Sequence, residues 1–360
     1  PIIIKALKDL LFLFLALTAI FLSAFKSRPI FTIESALVLL TITILFTISI
    51  YYNGIVIALG GLRWASPIIL FLLLRPFRNI INFRSCAMVL SYFLIVNLFF
   101  QLWQLYNMPP IYGEIYPGIS ARVPGIFFIP NTTAFFASLC MAMSISFETS
   151  RKILIATIFS ATMSCLLAQS GTGVMVVVVL LLYKAKLKFG LIVPLIALII
   201  VPLLFINLDV LLGRVDYLSL SGGARVDILF RVVGNSIDLD KFGIYTNVGN
   251  LWASHLGGVI DNGGAIDSYY ASFIGNMGPM SVIVVPLIMF YILRDVGREW
   301  RGLMPLLIVY GLFSFTTIVS EAYPMNIIFP LVLSSYAYLC RARRRRYTSA
   351  NESDGVVYGS

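Results

Sequence analysis

The chain has 360 residues, of which 59% are hydrophobic and only 12% charged, with a mean hydropathy of +0.95. A water-soluble domain of this length could not hide so much apolar surface in one core, which excludes a soluble enzyme and predicts a polytopic membrane protein. The net charge of +10 would point to nucleic acid in a soluble chain, but here Lys and Arg gather in short stretches between apolar runs, which is the pattern of membrane orientation and not of RNA binding.

Each helical crossing needs roughly 20 mostly apolar residues, and the runs are continuously apolar instead of alternating, so helices and not a barrel are expected. Leu10 to Phe25 is the first predicted span, closed by Lys26 and Arg28, and Ile30 to Ile50 the second, ending in Tyr51-Tyr52-Asn53-Gly54. A third, Ile55 to Leu74, is interrupted by Gly60, Gly61 and Arg63 and leads into the basic stretch Arg75, Arg78, Arg84. The fourth, Ala87 to Tyr106, has an aromatic-rich exit into a first polar excursion, Asn107 to Phe128. A fifth runs from Ile129 to Phe147 and meets Arg151-Lys152. Ile153 to Ala168 and Val174 to Tyr183 form a hairpin around the turn Ser170-Gly171-Thr172-Gly173, with Lys184, Lys186 and Lys188 behind it.

Leu191 to Leu208 delivers the chain into its longest polar interval, Asp209 to Asp267. Ala271 to Ile292 returns, Arg294, Arg298 and Arg301 follow, Leu303 to Val319 crosses, and Ile327 to Cys340 ends at an arginine tail, Arg341 and Arg343 to Arg346. The expected architecture is therefore an all-α integral membrane bundle of about eleven transmembrane helices. Residues 1–346 form one polytopic domain with outer loops at 107–128 and 209–267, the larger loop containing short helices, and 347–360 read as a disordered cytoplasmic tail. In this arrangement every basic cluster falls on one side, which the positive-inside rule makes cytoplasmic. An odd span number puts the N-terminus outside, against Lys5 and Lys8, and a segment upstream of Pro1 would reconcile the two.

Cys86, Cys140, Cys165 and Cys340 lie in or beside apolar runs without paired spacing, so they read as buried small hydrophobes. One histidine and no cysteine pairs leave no ligand set for a tightly held metal, and no P-loop, dinucleotide or zinc motif is present. Neither a metal nor a cofactor is expected.

The chemistry then falls to the outer loops. In the larger one, Ser221-Gly222-Gly223-Ala224-Arg225 reads as the glycine-rich start of a helix from Ala224 to Val233, where free N–H groups beside Arg225 suit a phosphate; a plain capped surface helix is the alternative. Arg231 follows Asp227 by four residues and can pair with it along one helix face, and Arg214 lies upstream in the same loop. Arg122 opens Arg122-Val123-Pro124-Gly125-Ile126-Phe127-Phe128-Ile129-Pro130-Asn131 on the same side; its alternative is to snorkel to headgroups. Arg63, inside a predicted span near its outer end, is a functional candidate by default, unless the span begins after it at Trp64. His255, the one histidine, suits deprotonation of a hydroxyl, and Asp267, just before Ser268-Tyr269-Tyr270, is the other candidate base.

The string Arg-x-x-Gly-x-Phe-x-x-Pro-Asn, the hairpin with its Ser/Gly turn, the large arginine-bearing loop and the Asp267-x-x-Tyr270 start of the next span together resemble the Wzy-type O-antigen polymerase and O-antigen ligase superfamily of lipid-linked, GT-C-like glycosyltransferases. The resemblance implies a metal-independent enzyme of the bacterial inner membrane with its site facing the periplasm, where a glycan on undecaprenyl pyrophosphate passes to the hydroxyl of a second lipid-linked repeat unit. Donor, acceptor and bilayer are then the partners, with a chain-length regulator protein as a further one and no nucleic acid. Arg122, Arg225, Arg63, Arg231 and Arg214 would hold the pyrophosphate, and His255 or Asp267 would serve as base. The ligase branch carries a His-Asn pair where this chain has Asp267-Ser268, and the Ser-Arg pair common in the hairpin turn is Ser170-Gly171 here. Both departures favour polymerase over ligase; a secondary transporter or flippase of lipid-linked sugars is the rival class.

Overall fold

A computed structural model describes residues 10, 11, 13–18, 20, 21, 33–73, 82–107, 122–127, 129–185, 268–270, 286, 287, 300–317, 319, 322 and 325–333. Among these the regular elements are all helical, with no strand. The helices are α1 (Ile33–Trp64), α2 (Ser66–Leu73), α3 (Phe83–Asn107), α4 (Pro130–Ser146), α5 (Arg151–Leu167), α6 (Gly171–Lys184) and α7 (Trp300–Phe313), with a 3₁₀ turn at Gly125–Phe127 and further helical residues at 10, 11, 13–18, 20, 21 and 325–333. Residues 209–267, the arginine tail and 347–360 lie outside the described set, as do Arg214, Arg225, Arg231, His255 and Asp267.

The second and third predicted spans follow one another as a single helical run that breaks at Gly54, the predicted boundary between them. Helix α1 continues through Tyr51-Tyr52-Asn53 and breaks its geometry only at Gly54, whose φ of 79° and ψ of 165° are outside the helical region. A glycine adopts that backbone without the Cβ penalty other residues meet. Arg63 lies in the last turn of α1, two residues before the turn at Ala65 that separates it from α2.

Five helices build the part that carries the site. α4 is the central one: all but two of its residues, Asn131 and Ser146, are buried, because α3, α5, α6 and α7 all pack on it. It runs antiparallel to α3, as Phe83 stacks on Phe147 at one end while Phe93 meets Phe136 towards the other. It is also antiparallel to α7, since Phe135 near its start packs on Phe313 at the end of α7. Close approach depends on small side chains: a Cβ on Gly173 would lie 2.8 Å from Ala134 Cβ and 2.9 Å from Cys165 Sγ.

This alternation sorts the helix termini into two ends. Arg84, Arg151, Lys152 and Lys184, with the backbone of Arg301, are at one end. The C-termini of α3, α5 and α7, the N-termini of α4 and α6, and the segment 122–127 are at the other.

Helix α3 is the one described helix that is long and apolar enough to cross a membrane; its 25 residues span roughly 37 Å at about 1.5 Å per residue. Its two faces are inverted relative to a water-soluble bundle. Val89, Tyr92, Val96, Phe99, Trp103 and Tyr106 form an exposed stripe at helical spacing, whereas Asn97, Gln101 and Gln104 are fully buried. Phe99 is 67% exposed while Gln101, two residues on, is 0% exposed.

Candidate functional site

The α5–α6 turn is fixed by backbone chemistry before any long-range contact is counted. The Ser170 N–H donates to Cys165 O (3.2 Å) and the Gln169 N–H to Leu166 O (2.9 Å), the paired closure of a helix C-terminus whose following residue is left-handed. That residue is Gln169, at φ 48°, where glycine is the usual occupant. Ser170 then caps the next helix, its Oγ accepting from the Gly173 N–H at 3.2 Å. Sequence reasoning placed the second arm of this hairpin from Val174. It begins at Gly171, because a capped glycine-containing turn continues directly into helix.

Arg122 reaches this turn from 46 residues away. Its Nε donates to Ala168 O at 3.0 Å, and its Nη2 donates to Asn131 Oδ1 at 3.2 Å and Gln169 O at 3.4 Å. A guanidinium on the last carbonyls of α5 satisfies acceptors the helix leaves open and sits at the negative end of its dipole. The arginine therefore ties the 122–127 segment, the start of α4 and the end of α5 together, instead of extending along the surface as a snorkelling side chain would.

Residues 122–127 belong to a stretch read from sequence as a polar excursion, yet their backbone is inserted into the bundle end. Val123 is 1% exposed, and its N–H donates to Leu167 O at 2.9 Å. Gln101 Nε2 donates to Val123 O at 2.8 Å and to Ser164 O at 3.3 Å. Thr133 Oγ1 donates to Pro124 O. Gln104 pairs with Gly125 in both directions, accepting its N–H at 2.8 Å and donating to its carbonyl at 3.2 Å. Asn97 Oδ1 accepts the Ile126 N–H at 3.0 Å while its Nδ2 donates to Gln101 Oε1 at 3.2 Å. From the Val123 N–H to the Ile126 N–H, each backbone polar group thus has a partner, as buried irregular backbone requires. Gly125 is obligatory here: its φ is 65°, and a Cβ would stand 2.4 Å from Asn97 Oδ1.

Two further segments join at the same end. Thr172 Oγ1 donates to Thr316 Oγ1 at 3.0 Å, linking the start of α6 to the exit of α7. The carbonyl of Ser314 accepts from the Tyr269 N–H at 2.8 Å and from Ser268 Oγ at 3.3 Å, and Tyr270 Oη donates to Gly311 O at 3.2 Å. The structure thus brings together Arg122, the Ser170–Gly173 turn and Ser268–Tyr270, three strings that the sequence separates widely. Arg63 is placed only as a residue at the end of α1. Among the described residues no three His, Cys, Asp or Glu side chains gather into a metal-binding group.

The amides Asn97, Gln101 and Gln104 are the residues that sequence reasoning missed. Their signal was present as i, i+4, i+7 spacing in an otherwise apolar helix, which puts three polar side chains on one face.

No protein-family model, curated protein or solved structure matches the chain.

Proposed function

We propose that this chain is a polytopic membrane glycosyltransferase that lengthens polysaccharide at the outer, periplasmic face of the bacterial inner membrane. In this reading it transfers a glycan from undecaprenyl pyrophosphate to an acceptor hydroxyl on another lipid-linked repeat unit. The observation that carries it is the convergence of the Arg122–Asn131 string, the Ser170–Gly173 turn and Ser268–Tyr270 on one end of the bundle, away from Arg84, Arg151, Lys152 and Lys184. Those strings are the ones that carry the family resemblance. Asp267 immediately precedes Ser268 in the sequence.

The inverted faces of α3 support the membrane part of the proposal. An apolar stripe on the outside and amides on the inside is unfavourable in water and favourable in lipid, where every buried polar group must find an internal partner. About eleven spans complete the bundle in this reading. The flippase alternative gains nothing from the buried amides, since they bond to the 123–126 backbone, to Ser164 O and to each other, whereas a transport path needs polar groups facing a cavity.

The chemistry follows from the leaving group. As the glycosyl–pyrophosphate bond breaks, negative charge grows on the phosphate oxygens, and preorganised guanidiniums stabilise that charge more than the ground state. Arg225, supported by Arg214 and Arg231, is assigned to the pyrophosphate, with Arg63 as a further arginine; Arg122 reaches the site through the turn it holds. His255 removes the acceptor proton, and Asp267 orients it or the acceptor sugar.

Purified protein incubated with a lipid-linked oligosaccharide in detergent, without metal or nucleotide, should yield a ladder of lipid-linked products differing by one repeat unit. A single unextended band with well-folded protein would rule the reading out.

A further inference from the structure

The three buried amides of α3 hold one object, the irregular backbone between Val123 and Ile126, and this object ends at Arg122. Gln104 makes the strongest connection, a two-way pairing with the peptide of Gly125 that reproduces what a neighbouring strand would supply. Gln101 bridges that segment to α5 through Val123 O and Ser164 O, and Asn97 closes the set on Ile126. Apart from the bond between Asn97 and Gln101, each of these partners is a backbone group. The amides therefore fix the path of the chain and not merely the position of another side chain.

The path matters because Arg122 is bonded at the next step. With Val123 anchored to Gln101 and Leu167, the Cα of Arg122 is placed so that its guanidinium meets Ala168, Gln169 and Asn131. An unbroken series of hydrogen bonds thus runs from the middle of α3, through 123–126, to the turn that starts α6. Gly125 leaves no slack in it, since its backbone sits against Asn97 and Gln101 too closely for a Cβ.

We propose that Asn97, Gln101 and Gln104 are positioning residues for the site at this end of the bundle, holding 122–127 and through it Arg122 and the Ala168–Gly173 turn in one geometry. This role rests on the glycosyl-transfer reading above. Displacing catalytic groups by about 1 Å costs on the order of a hundredfold in rate, and an effect on geometry alone lowers kcat while leaving substrate affinity nearly unchanged.

The test uses Gln104→Met, which keeps the volume and removes both bonds to Gly125, and the milder Gln104→Asn, which keeps the amide but withdraws it by one methylene. Hydrogen exchange of the 123–127 peptide and steady-state transfer to a lipid-linked oligosaccharide are measured on the folded, detergent-purified full chain. The expected result is a protected 123–127 peptide in the parent and faster exchange in both variants. Alongside it, kcat per folded molecule should fall about a hundredfold in Gln104→Met and about tenfold in Gln104→Asn, with KM within about threefold. If Gln104→Met fails to fold, Gln104→Asn decides the matter alone. Faster exchange with an unchanged kcat would show that the amides only stabilise the fold and would overturn the positioning role. Fast exchange in the parent would overturn the anchoring itself. A protected parent peptide without any transfer would instead remove the glycosyl-transfer reading, and this role with it.

Discussion

Two turns of the bundle share one backbone solution and differ in everything attached to it. At the basic end α4 closes with the Thr149 N–H on Ser144 O and a left-handed Glu148 at φ 49°; at the opposite end α5 closes with the Ser170 N–H on Cys165 O and a left-handed Gln169 at φ 48°. In both, a serine then caps the next helix, Ser150 for α5 and Ser170 for α6. Yet Glu148 and Ser150 are exposed beside the exposed Arg151 and Lys152, while Ala168 and Ser170 are buried and Arg122 donates to the turn carbonyls. Left-handed strain and capping are therefore means of reversing a chain between packed helices. What distinguishes the site end is the set of distant side chains fastened to it.

The sharpest way to break that distinction is Gly125→Ala. The added methyl would meet Asn97 Oδ1 at 2.4 Å in a left-handed backbone, so overpacking and the φ penalty together should cost about 3 to 4 kcal/mol. Thermal unfolding in detergent checks this, and a melting temperature equal to that of the parent would show that 123–126 is not held as described.

Arg122→Gln comes next. Losing charged hydrogen bonds to Ala168, Gln169 and Asn131 should destabilise by about 2 to 3 kcal/mol, with Arg122→Lys only partly restoring it because an ammonium lacks the planar fork. At the other turn, Arg151→Gln should stay within about 0.5 kcal/mol, as an exposed residue away from special features does. Equal effects of Arg122→Gln and Arg151→Gln in denaturant titrations would erase the contrast between the two ends.

A pair of glycines within one turn sharpens it further. Gly173→Ala pushes a methyl against Ala134 and Cys165 and should cost about 1 to 2 kcal/mol, whereas nothing lies within 4 Å of a Cβ on Gly171. Gly171→Ala should therefore leave the melting temperature unchanged, and a drop as large as that of Gly173→Ala would contradict the packing of α6 on α4.

The smallest effect is the most diagnostic. Glu148→Gly and Gln169→Gly each relieve a left-handed residue and should stabilise by less than about 1 kcal/mol. On the proposed glycosyl-transfer reading, the transfer rate per folded molecule should stay unchanged for Glu148→Gly and fall for Gln169→Gly, since extra backbone freedom matters only where the turn supports the proposed site. Identical rates for the two would place the turn outside the chemistry.

The sequence by itself determined the helical class and the positions of the turns. Long apolar runs leave backbone groups no partners except those inside a helix, and the string Ser170-Gly171-Thr172-Gly173 marks a turn whatever surrounds it. It also marked Arg122, the Ser170–Gly173 turn and the return at Ser268–Tyr270 as places of interest, because arginine and glycine are conspicuous among apolar residues. It did not show that 122–127 folds inward, since local composition is the same for an exposed loop and for an inserted one. Only the tertiary structure decided what Arg122 holds and what Asn97, Gln101 and Gln104 are for. Their partners lie 21 to 63 residues away along the chain, apart from the bond between Asn97 and Gln101 themselves. A side-chain amide carries both a donor and an acceptor, so its role is fixed by whichever backbone is packed against it, and that choice is made when the helices meet.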